Sequence, residues 1–129
     1  GIWMGDNELY FACTSGGGAK LGQIFRLHLD GEAERLELFF ESSDPDQFNY
    51  GDNLTVAPNG HLIVCEDQYT DDAVNYLRGI TPSGQAYPFG RLRLKTELAG
   101  ACFSPDGRTL FVNVFSPAKT LAITGPWLS

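Results

Sequence analysis

Leu54-Thr55-Val56-Ala57-Pro58-Asn59-Gly60-His61-Leu62-Ile63-Val64 is an apolar run, a Pro-Asn-Gly turn and a second apolar run. The same order returns in Ala101-Cys102-Phe103-Ser104-Pro105-Asp106-Gly107-Arg108-Thr109-Leu110-Phe111-Val112, with one extra residue after the glycine and Gly107 standing 47 positions beyond Gly60. Asn-Gly and Asp-Gly accept positive φ and Pro presets the corner before them, so each copy spells strand, tight turn, strand. A fainter copy opens the chain as Ile2-Trp3-Met4, Gly5-Asp6-Asn7 and Leu9-Tyr10-Phe11. Third strands repeat as well: Ile24-Phe25-Arg26-Leu27-His28-Leu29-Asp30-Gly31 parallels Tyr76-Leu77-Arg78-Gly79-Ile80-Thr81-Pro82-Ser83-Gly84. A strand–turn–strand–loop–strand–turn–strand unit every ~40–50 residues is the pattern of a β-propeller blade.

Outward from these repeats, no window keeps apolar residues at helical spacing without a Gly or Pro breaking it. Short β-rich runs occupy residues 8–14, 23–29, 35–40, 53–57, 61–65, 76–80, 101–104, 109–115 and 120–124. The expectation is an all-β chain of roughly nine or ten strands. It divides into units of about 1–48, 49–95 and 96–129, or about two and a half four-stranded blades. A twisted blade has two apolar faces and needs a neighbour on each, and closed rings have ~4–8 blades. The chain therefore needs further blades or partner chains. A small β-sandwich is the competing architecture.

Nine Lys and Arg against sixteen Asp and Glu leave a formal charge of −7, which repels nucleic acid and anionic membrane surfaces. No apolar stretch approaches the ~20 residues of a membrane-spanning helix. The chain opens on Gly1 without a basic-then-apolar leader, as expected of a mature fragment or an interior segment. Cys13, Cys65 and Cys102 are odd in number and lack zinc-site spacing, so buried thiols are the expectation.

In a blade, the residues before the first strand and after the second share one mouth of the central channel. Here those positions are polar: Tyr50-Gly51-Asp52-Asn53 and Thr96-Glu97 before first strands, Thr14-Ser15-Gly16-Gly17-Gly18, Glu66-Asp67-Gln68, Asn113 and Ser116 after second strands. Oxygen ligands at that density suit Ca²⁺, which takes ~6–8 of them. The candidate ligands are Asp52, Asn53, Glu66, Asp67 and Glu97; a turn cap at Asp52 and a solvated loop at Glu66-Asp67 are the alternatives. Ser15-Gly16-Gly17-Gly18 lacks the Gly-Lys-Ser/Thr of a P-loop and reads as a rim loop. His28 and His61, the two histidines, fall on surface or edge positions, His61 at the end away from that mouth, and the acidic residues from Glu32 to Asp46 read as solvated edge charge.

Gly51-Asp52-Asn53-Leu54, Cys65-Glu66-Asp67 and the run Glu97-Leu98-Ala99-Gly100-Ala101-Cys102-Phe103-Ser104-Pro105-Asp106-Gly107-Arg108-Thr109-Leu110-Phe111-Val112-Asn113, closing on Gly125-Pro126-Trp127, resemble the C-terminal part of the PhoX-type alkaline phosphatases. Trp3 and the Leu9-to-Gly17 run resemble the blade before it. The resemblance implies a ring of about six blades, export to the periplasm or beyond, and hydrolysis of phosphate monoesters with calcium and iron in the channel. It places Glu97 on a metal-ligand motif and Asp52-Asn53 on a candidate calcium loop. It also implies further ligands upstream of Gly1, a Glu and a Cys among them, so the fragment alone is expected to be inactive. The alternative is a non-catalytic propeller module or accessory subunit that binds other proteins through its exposed blade edges.

Overall fold

The structure, a computed structural model, describes residues 1–72 and 74–127; residues 128 and 129 of the third expected unit lie outside the described residues. Eleven antiparallel strands form three sheets, and no helix occurs among the described residues. The first sheet runs β1 (Ile2–Met4), β2 (Glu8–Cys13), β3 (Gln23–His28), β4 (Arg35–Glu41) in chain order. The second runs β5 (Gly51–Val56), β6 (Leu62–Glu66), β7 (Tyr76–Ile80), β8 (Ala86–Arg91). The third holds β9 (Leu98–Phe103), β10 (Thr109–Val114) and β11 (Lys119–Thr124).

The repeated turns form as their residues dictate. Gly60, at φ +83°, donates its amide to Ala57 O at 2.8 Å, and Gly107, at φ +70°, donates to Ser104 O at 2.8 Å. Asn59 Oδ1 accepts from His61 N at 3.2 Å in the first copy and Asp106 Oδ1 from Arg108 N at 3.1 Å in the second, where it also accepts from Ser104 Oγ at 2.6 Å.

Alternation along β6 explains the stacking. Leu62 and Val64 join Tyr10, Ile24, Phe40, Phe48, Leu54 and Ile80 in a core between the first two sheets. Ile63 and Cys65 point the other way, into a core with Leu77, Leu98, Ala101, Leu110, Val112 and Val114 of the second and third sheets. Successive residues of a strand face opposite sides, so one strand serves two cores. A two-sheet sandwich buries each sheet on one face only; here the middle sheet is covered on both, as a propeller blade is. The strands β1, β5 and β9 that open the three sheets run side by side, with β5 against both others. The three stacked sheets make a propeller-like fragment, and no closed ring forms among the described residues. No helix of the described residues is long and apolar enough to cross a membrane.

Two elements depart from expectation. β8 lies where no β-rich run is expected and contains Pro88 and Gly90; the strand tolerates them because it is the outer edge, with a register shift between Leu77 and Arg78 opposite it. Glu37 is not simply solvated charge. It accepts from Arg26 Nη2 at 2.8 Å and meets His28 Nε2 at 2.7 Å, and these two partners, His28 first, hold its carboxyl below the usual range.

Candidate functional site

Gly51 pairs with Glu66, so the start of β5 and the end of β6 lie at one end of the middle sheet. Glu97 leads into β9 and its carbonyl accepts from Phe115 N at 3.1 Å, just past β10. Gly51 is required by close approach: a Cβ there would stand 2.2 Å from the Phe48 ring and 2.8 Å from Val64. Tyr50, at φ +54°, turns the chain into β5, and its carbonyl accepts from Asp67 N at 2.9 Å. Asn53 Oδ1 accepts from Gly100 N at 2.9 Å and ties β5 to β9. Asp67 and Glu97 therefore approach one another from two different segments, with the Asp52 charge near enough to act on Glu97, while Asp52 Oδ1 itself lies 3.4 Å from the Gly1 amine.

One hydroxyl measures how close two of them come. Tyr69 Oη donates to Asp67 Oδ2 at 2.7 Å and lies 3.4 Å from Glu97 Oε2. Those bonds, Asp67 first, push the phenol up to about 12, so it stays a donor at neutral pH. The Glu97 carboxyl is raised to about 7, first by hydrogen bonding to Asp67, then by burial and by the negative charges of Asp67 and Asp52. Asp67 is itself buried, 7% exposed, and its Oδ1 has no hydrogen-bond partner. A buried carboxylate oxygen beside a second carboxylate is costly unless a proton or a cation stands between them.

Glu66 sits differently. It is 1% exposed; Arg78 Nε and Asn49 N donate to its Oε1 at 2.6 and 2.9 Å, and Tyr76 N donates to Oε2 at 2.9 Å. Burial raises its carboxyl while Arg78 opposes that shift. Arg78, whose guanidinium lies 4.1 Å from the Tyr76 ring centroid, is the partner that sequence reasoning missed. Its signal was present: an arginine in the middle of an apolar third strand. Asn75 was missed too. Its Oδ1 accepts from Gln68 N at 2.9 Å while its Nδ2 donates to Thr96 O at 2.9 Å, so one buried amide joins the Asp67–Tyr69 loop to the Glu97 segment.

As a test of fit for a hard cation, the donors are oxygen, two carboxylates share one hydroxyl, and one buried oxygen lacks a partner. They make part of a shell. Among the described residues no three His, Cys, Asp or Glu side chains converge closely enough to hold an ion by themselves. No thiolate or imidazole joins them: burial pushes the Cys65 thiol up to about 12, and His61 meets the Tyr87 hydroxyl at 2.8 Å at the far end of β6. Ser15 to Gly18 forms a loop whose Gly17 lies against the Glu41 side chain, a poor setting for an anion.

A cavity of about 450 Å³ opens beside the carboxylates, lined by Tyr69, Lys95, Thr96, Glu97 and Phe115 among others. The family described as alkaline phosphatase PhoX matches residues 1–118. The chain belongs to the PhoX alkaline phosphatase family. No curated protein and no solved structure matches it. The matched span contains every candidate ligand of this PhoX-family chain. Its Gly125-Pro126-Trp127 ending lies beyond the match; there Trp127 packs on Phe89 and Phe103 and donates Nε1–H to Arg108 O at 2.9 Å.

Proposed function

We propose that this chain supplies C-terminal blades, residues 1–48, 49–95 and 96–129, of a calcium- and iron-dependent phosphomonoesterase exported to the periplasm or beyond. Asp67 and Glu97, with Asp52 close by, are the oxygen donors for a hard cation at the channel mouth. Asn53 and Glu66, candidate ligands by sequence, hold the scaffold: Asn53 spans two sheets and Glu66 is bound to Arg78. The single observation that carries this assignment is the unpartnered, buried Asp67 Oδ1 beside Glu97. A cation bound there would polarise phosphoryl oxygens and lower the pKa of a coordinated oxygen nucleophile. The protein's own part is positional. Tyr69 fixes Asp67 through Oδ2 and leaves Oδ1 free, and Asn75 keeps the two carboxylate-bearing segments together.

The test uses the full-length protein. Calcium- and iron-dependent hydrolysis of a chromogenic phosphate ester is expected, with loss of roughly a hundredfold or more in kcat/KM for Glu97→Ala. Tyr69 also provides an optical reporter, since a tyrosine beside a carboxylate site sensitises terbium luminescence. That signal is expected to be quenched by excess calcium and absent in Asp67→Asn. Full hydrolytic activity in Glu97→Ala would overturn the assignment.

A second reading, a propeller module that binds another protein, is favoured by Ile2, Met4, Leu36 and Leu38. These apolar side chains of β1 and β4 are all about half exposed or more. They suit a further blade of the same ring equally well. A metal-free, inactive full-length protein that captures a partner through this face would favour the second reading.

A further inference from the structure

A chain of charge −7 whose mouth is lined with carboxylates repels the dianionic esters assigned to it above. The structure contains a local reversal of that charge. Arg91, Arg93 and Lys95, three of the nine Lys and Arg, alternate over five residues from the end of β8 toward Glu97. All three are exposed, and none has an ion-pair partner among the described residues. By contrast, Arg26 and Arg78 are both committed to carboxylates. Leu92, between the two arginines, is half-buried against the core of the second and third sheets, which anchors the segment. Arg91, Arg93 and Lys95 together line a cavity of about 420 Å³ whose one acidic member is Asp72. Lys95 also lines the cavity that contains Glu97, where Asp71 is the other acid. Lys95, common to both cavities, therefore links this cationic strip at the outer edge of the middle sheet to the carboxylate pair, with Asp72 and Asp71 the acids along that path.

We propose that Arg91, Arg93 and Lys95 form an anion-collecting strip that steers multiply charged phosphate esters along the blade edge into the cavity beside Glu97. The proposal rests on the phosphatase assignment for its destination, but the strip's affinity for polyanions is independent of it. A cleft lined by one sign of charge concentrates ligands of the opposite sign and raises association rates in a way that salt abolishes. Selectivity follows from the same geometry. An ester with further anionic groups contacts two or three cations at once, whereas a singly phosphorylated neutral alcohol contacts one.

The experiment uses the full-length protein and pyrenetetrasulfonate, a fluorescent tetra-anion that is neither hydrolysed nor a strong chelator. Fluorescence anisotropy should show binding that weakens steeply with added salt. The Arg91→Gln/Arg93→Gln variant should bind about tenfold more weakly and with a shallower salt dependence. In the same preparations, kcat/KM for a bisphosphate ester should fall in the variant while kcat stays constant. Unchanged dye affinity in the variant overturns the proposal. So does a variant that loses binding to phosphatidylglycerol vesicles but not to the dye, because the strip then docks on lipid. Dye binding that is lost as expected, in a protein that hydrolyses no ester, keeps the strip and overturns the phosphatase assignment instead.

Discussion

Asp67 and Glu66 are neighbours in the chain with opposite fates. Glu66 ends β6 pointing inward, where a guanidinium and two backbone amides satisfy it; Asp67 leaves the strand and keeps one oxygen bare. Removing one partner of a buried pair strands the other charge, so Arg78→Ala should lower unfolding stability by about 3–5 kcal/mol in denaturant titration. Arg78→Ala combined with Glu66→Gln should recover part of that loss. At Glu97, proton and cation compete for the same oxygens. With its carboxyl raised to about 7, divalent affinity should weaken as pH falls through that value, and terbium titrations at pH 6 and pH 8 would measure the difference. The stability sign runs the other way. Without a cation, a folded-state pKa above the unfolded one favours the protonated fold, so stability contributed by Glu97 is full below the unfolded value and is lost as pH rises through about 7. Glu97→Gln should flatten that slope in thermal melts. Sequence alone shows that acidic residues gather at one end, because strand direction assigns it. It does not show which of two adjacent carboxylates turns inward, because that depends on Arg78, twelve residues away on the next strand.

At the level of elements, the Pro-Asn-Gly and Pro-Asp-Gly turns were legible because their chemistry is local: few residue types accept the φ angles of Gly60 and Gly107. β8 was not legible, since Pro88 and Gly90 are ordinarily incompatible with a strand and only its place at a sheet edge allows them. The start of β9 was obscured likewise by Gly100, at φ +62°, where the pairing with β10 shifts register. β5 depends on the fit of Gly51 beneath Phe48. Gly51→Ala forces a methyl into the ring and should cost about 1–3 kcal/mol, with Asp52 displaced at the same time. A smaller side chain at 48 should relieve it, so Gly51→Ala/Phe48→Leu should be more stable than Gly51→Ala alone.

For the whole molecule, the apolar outer face of the first sheet predicts association. Residues 1–129 prepared alone should sediment as a concentration-dependent oligomer, and Leu36→Lys/Leu38→Lys should shift it toward monomer. The stacked-sheet architecture could be recognised from the repeats, because each repeat encodes one sheet, and the family from the Glu97-to-Asn113 run and the motifs before it. The ordering of the cores could not, because it depends on contacts between residues far apart in sequence.

β6 contributes alternate side chains to both cores, so it is a party wall between two rooms. Deuterium can reach its amides only after the sheets on both sides have come away. Its five residues should be the last in the chain to exchange, and loosening either neighbour should leave that rank unchanged.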